Sequence, residues 1–223
     1  MSHTLHRLGN PENLTDDWVV FAMSAKGINE KGSAEKLRKF LDIALTHDPI
    51  NYGDMKTGNS FTATVDDLVE GIQDVSIVHA VFTSEDEVAA VLRDLKAADL
   101  GMSVVVSGLV DTTKRCAGRA GLGQHTIEYS LGIWGQTDRL PGERTLEITT
   151  MCGHGMVAAG LVHKMVKDVR RGKLSVENAA AELARPCVCG VFNQYRAARL
   201  LAALVASEDE DAPPSPGQTI SFT

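Results

Sequence analysis

The stretch 75–107 narrows the folds open to this chain more than any other. Residues 75–82, Val-Ser-Ile-Val-His-Ala-Val-Phe, form an apolar run of strand length. Ser84, followed three positions later by Glu87, has the spacing of a capping box, and Val88, Val91, Leu92 and Leu95 recur on one helical face. Gly101 closes that helix, and 103–107, Ser-Val-Val-Val-Ser, is strand-like again. A strand, a helix and a strand joined by short connections predict a crossover unit with a parallel strand pair. The fold class that follows is α/β, a layered mixed sheet with crossover helices.

The flanking residues extend this pattern. The apolar run 18–23, Trp-Val-Val-Phe-Ala-Met, reads as a buried strand. Ser33 is placed to cap a helix carrying Leu37, Phe40, Leu41, Ala44 and Leu45, which should stop before Pro49. Residues 48–63 read as a long loop, and Thr64 as the cap of a short helix over 65–72. Ile127, Tyr129, Leu131 and Ile133 alternate with polar residues or glycine in the manner of a half-buried strand. The segment 146–150, Leu-Glu-Ile-Thr-Thr, is also strand-like. From 156 onward the period becomes helical, with helices expected from 156, from Ser175 and from the cap Asn193. These readings give one α/β domain over 1–206, α-helical over 156–206, and an acidic, proline-rich tail at 207–223 expected to be disordered.

Composition restricts function. The 223 residues carry 29 acidic against 22 basic side chains, a net charge of -7, and only 5% are aromatic. An acidic surface with few stacking platforms argues against nucleic acid as a partner. No stretch reaches the roughly 18 uninterrupted apolar residues of a spanning helix, and the start lacks an apolar signal region, so no membrane role is expected. Association into a homo-oligomer is open. Cys116, Cys152, Cys187 and Cys189 are too few and too unevenly spaced for a disulfide scaffold, and they read as reduced thiols of a cytoplasmic protein.

Three of those thiols lie in two short segments, Met-Cys-Gly-His-Gly at 151–155 and Pro-Cys-Val-Cys-Gly at 186–190. Each is expected at the entrance of a helix, where unsatisfied N–H groups favour the thiolate. In an extended Cys-X-Cys both side chains point to the same side. A helical hairpin between the segments would bring Cys152 to Cys187 and Cys189. Three thiolates with glycine beside them point to a metal or iron–sulfur site, a [4Fe–4S] cluster before zinc, with His154 or Cys116 as a fourth zinc ligand. A cubane on three cysteines leaves one iron open as a Lewis acid, with His154 able to move a proton. The expected activity is that of a metal- or iron–sulfur-dependent lyase, hydratase or desulfurising enzyme. A non-catalytic metalloprotein and a metal-free thiol enzyme, with Cys152 as nucleophile and His154 as base, are the alternatives. The glycine-rich stretch 108–125 holds Lys114, Arg115, Arg119 and His125, a cationic set suited to a small anionic substrate. His79, inside an apolar strand, reads as a core histidine.

Overall fold

The structure, a computed structural model, describes residues 2–207 together with Asp211. Among the described residues it holds a five-stranded antiparallel sheet and nine α-helices. The chain divides into two compact units. One is Thr15–Ile127 with Val188–Val191; the other takes the described residues of Met1–Leu14, Glu128–Cys187 and the stretch from Phe192.

The first unit contains strands β1 (Trp18–Met23), β2 (Asn51–Asp54), β3 (Gly58–Asn59), β4 (Ile77–Phe82) and β5 (Ser103–Ser107), in the order β3-β2-β4-β1-β5. β1 pairs antiparallel with β4 through Phe21↔His79 and antiparallel with β5 through Phe21↔Val105. β4 and β5 therefore run in the same direction, as a crossover requires, yet they do not pair. The expected parallel pair is corrected to a split βαβ unit with β1 inserted between its strands.

The connecting helices are α2 (Ser33–Leu45), α3 (Val65–Gly71), α4 (Glu85–Ala98) and α5 (Val110–Arg119); α1 (Pro11–Leu14) belongs to the other unit. Trp18, Val20 and Ala22 of β1 and Val78, Ala80 and Phe82 of β4 share a buried cluster with Leu37, Phe40 and Leu41 of α2 and Val88, Val91, Leu92 and Leu95 of α4. Alternate residues Val19, Phe21, His79 and Val81 are equally buried. Burial on both faces is why these strands read as continuous apolar runs. The Trp18 ring lies so close to Gly108 that a Cβ there would stand 2.5 Å from Cε3.

The caps follow the sequence in part. Thr64 and Asp67 form a reciprocal capping box on α3, and Ser84 accepts from the amides of Asp86 and Glu87 on α4. Glu87 reaches the amide of Thr83 instead of closing the box on Ser84. Ser33 does not cap α2; Asp74 does, accepting from the amides of Gly32 and Ala34, both at 2.9 Å. Those bonds hold the Asp74 carboxyl below its ordinary value. Residues 48–63 are not a plain loop, because β2 and β3 form a small hairpin within them.

In the second unit α6 (Glu143–Thr149), α7 (Ala159–Arg170), α8 (Val176–Ala184) and α9 (Gln194–Ala206) pack on one another. The strand expected at 146–150 is helical. Its β-branched residues suit a strand locally, but Thr145, Leu146 and Ile148 are buried where α6 meets α7 and α9, and packing overrides propensity. Asp211 accepts from the amides of Arg144 and Thr145 at its start. The remainder of the tail expected at 207–223, apart from Ser207, lies outside the described residues. The strand expected at 127–133 is absent: Gly132 turns the chain at φ 99, no ladder forms, and Ile127, Tyr129 and Leu131 are exposed. Alternation alone does not make a strand without a partner to pair with.

A buried arginine ties the amino-terminal segment to this unit. Arg196 of α9 is fully buried; its Nη2 donates to the Leu8 carbonyl and to Asn13 Oδ1, and Nε also donates to Asn13 Oδ1. Asn13 Nδ2 in turn donates to Glu147 Oε1 at 3.2 Å. Burial raises the Glu147 carboxyl above its ordinary 4.5, and the Asn13 hydrogen bond and the Arg196 charge only oppose that shift. An acid raised in the folded state contributes stability that is full below its unfolded pKa and is lost as pH rises through the folded value. Glu147→Gln should therefore gain stability relative to the native chain as pH rises from about 4 to about 8. Urea midpoints measured across that range test it, and a constant difference between the two proteins would contradict it.

Candidate functional site

Cys152 lies in the turn that follows α6. Its amide donates to the Thr149 carbonyl, and its own carbonyl accepts from Gly155, so the segment winds off the C-terminal end of α6 well before α7 begins. Cys187 is similar, with its amide donating to the Ala184 carbonyl at the end of α8. The expectation that both segments stand at helix entrances is thus corrected. Cys152 and Cys187 follow carbonyl ends, where the helix dipole disfavours a thiolate.

All four cysteines are buried, and none forms a disulfide. Around the second segment, Cys187 and Cys189 are buried while Val188 between them is 60% exposed, and the segment is a turn rather than the extended Cys-X-Cys expected from the sequence. Gly190 then takes φ 75. A Cβ on Gly190 would stand 2.4 Å from Asn59 Cβ and 3.1 Å from His79 Nε2, so only glycine lets the turn approach these residues. Asn59 Nδ2 donates to the Val188 carbonyl at 2.9 Å. The Val188–Val191 stretch is thereby seated on the sheet beside the fully buried imidazole of His79. In the sequence His79 reads as a core histidine, and Asn59 falls within the stretch 48–63 expected to be a loop. A polar ring inside an apolar strand and a glycine directly after Cys-X-Cys were the available signals.

His154, between Gly153 and Gly155, is exposed. Among the described residues, no three His, Cys, Asp or Glu side chains stand together as a metal-binding group.

The cationic set is also rearranged. Residues 110–119 are helix and not a glycine-rich loop, with Thr112, Thr113, Cys116 and Ala117 on the buried face. The glycines at 108, 118, 121 and 123 favour a loop reading of a helix whose charged side opposes a buried face of small residues. Arg115 Nη2 pairs with Glu85 at 2.9 Å, and Arg119 Nη2 with Asp86 at 2.6 Å. Lys114 is exposed, and His125 is exposed with Nδ1 2.7 Å from Thr126 Oγ1. Cys116 lies between these ion pairs and the core, with Sγ 3.6 Å from the Glu85 carbonyl.

No protein-family model matches the chain, and comparisons with curated proteins and with solved structures return no match. No helix among the described residues is long and apolar enough to cross a membrane.

Burial, followed by the Glu85 charge, pushes the Cys116 thiol up to about 11. At pH 8 only about one such thiol in a thousand is ionised, and the thiolate is the reactive form. Cys116 should stay unlabelled by iodoacetamide in the native protein and react once urea unfolds it. Peptide mapping that found rapid native labelling of Cys116 would contradict this environment.

Proposed function

We propose that Cys152, Cys187 and Cys189 are thiolate ligands of an iron–sulfur cluster, [4Fe–4S] before zinc, in an enzyme of the lyase, hydratase or desulfurising type. The observation that supports this reading is the second cysteine segment. Two buried thiols outside any disulfide stand one residue apart in a turn closed by a left-handed glycine. Cys152, buried in a second glycine-flanked turn, is the third ligand of the proposal. Among the described residues no such trio stands gathered, so ligation in this reading is coupled to local rearrangement, as metal binding commonly is coupled to folding.

A cluster held by Cys152, Cys187 and Cys189 would supply Lewis-acid chemistry toward a hydroxyl, carbonyl or carboxylate. Exposed His154 is the group proposed to carry a proton. The substrate class is a small anion, with Lys114, Arg115, Arg119 and His125 as proposed contacts. Since Arg115 and Arg119 already bond Glu85 and Asp86, an incoming carboxylate would have to compete for them.

Protein produced and purified without oxygen, with iron and sulfide supplied, should be brown and hold about four iron and four sulfide per chain. Cys187→Ser and Cys189→Ser should each lower that content. Colourless protein carrying zinc, or iron content unaffected by either substitution, would overturn the proposal.

A further inference from the structure

Among the described residues, strand β5 forms one edge of the sheet and is hydrogen-bonded to β1 alone. Natural edge strands are commonly protected against pairing with another chain by charges, proline, bulges or extreme shortness. β5 has none of these: its five residues, Ser103-Val104-Val105-Val106-Ser107, are uncharged and mostly β-branched, and Val104 and Val105 are each 37% exposed. The opposite edge, β3, is only two residues long.

The β5 sequence is also a palindrome about Val105. We propose that β5 is a homodimer seam, pairing antiparallel with β5 of a second copy about a two-fold axis through Val105. Such an isologous contact brings each residue opposite its mirror position. Ser103 then faces Ser107 of the other copy, Val104 faces Val106, and Val105 faces itself. The register is self-complementary without adjustment.

The side-chain faces agree. Val104 and Val106 lie beside Ala22 and Val20 in register, the residues that face the helices, so the Val104–Val106 contacts continue that apolar layer across the seam. Val105 lies beside Phe21, and its contact with the second Val105 covers apolar surface on the opposite face. Open N–H and C=O groups on both edges become paired, and the two five-stranded sheets join into one of ten strands. The occupant is a second copy of this chain because the seam carries no charge to select another partner and its order matches itself. With one five-residue strand on each side, the seam belongs to the small, reversible class of interface, monomeric when dilute and dimeric at about 100 µM.

Sedimentation equilibrium of the full chain under reducing conditions tests this. The native protein should move from monomer to twice that mass as concentration rises. Val105→Lys sets two ammonium groups opposite one another, with Cβ atoms about 5 Å apart, and should stay monomeric with an unchanged circular dichroism spectrum. Val105→Thr, which keeps strand propensity, should still dimerise. Under mild oxidation Val105→Cys should form a disulfide-linked dimer and Val104→Cys should not, because only position 105 meets itself. A native protein monomeric at several hundred micromolar, a Val105→Lys dimer, or cross-linking no better at 105 than at 104 would each overturn the proposal.

Discussion

Strand β1 is hydrogen-bonded on both sides, to β4 and to β5, and the organisation of the sheet-bearing unit depends on that insertion. An interior strand has its backbone donors and acceptors satisfied along both edges, so its side chains can all be apolar without leaving a buried polar group unpaired. Trp-Val-Val-Phe-Ala-Met meets that condition. Antiparallel pairing on each side makes β4 and β5 run in one direction, which lets α4 cross between them over the face that α2 also covers. The same insertion leaves β5 with one open side.

The elements around β1 were legible in proportion to how local their causes are. Helix α4 and its Ser84 cap, the Thr64 cap and the Asn193 cap depend on residues within one turn, and all three side chains accept the expected amide, with only the Glu87 half of the Ser84 box turned to Thr83. The strand pairing was not legible, because a crossover helix specifies the direction of the next strand and not whether a third strand lies between. Asp74 displaces Ser33 as the cap of α2 from about forty positions away, and no local pattern records that contact. Helices α5 and α6 were missed for opposite reasons. In α5 the buried face is made of threonine, cysteine and alanine instead of large aliphatic residues, and the glycines around it read as a loop. In α6 the β-branched residues Ile148 and Thr149 favour a strand intrinsically, and the neighbouring helices decide otherwise.

The cysteine segments show the same division. All four cysteines are buried and none forms a disulfide, and the burial is not foreshadowed by the glycine-flanked, polar surroundings of their segments. Placement relative to the helices also departs from expectation, because a thiol after a carbonyl end meets the opposite dipole from one at an amide end. For the second segment, glycine at 190 is required by the close approach of Asn59 and His79, contacts from strands more than a hundred residues earlier in the chain. Strand β4, by presenting His79 beside that turn, links the sheet to the segment whose chemistry the proposed function invokes. Strand β1 fixes β4 in the middle of the sheet. The sheet order is therefore also the basis for the surroundings of Cys189.

Interstrand backbone contacts measured by nuclear Overhauser spectroscopy test that order most directly. Residues Val20–Ala22 of β1 should show cross-strand effects both to Val78–Ala80 of β4 and to Val104–Val106 of β5, with none passing directly from β4 to β5. Direct effects between β4 and β5, in the pattern of a parallel pair, would contradict the inserted strand and the environment it gives the second cysteine segment.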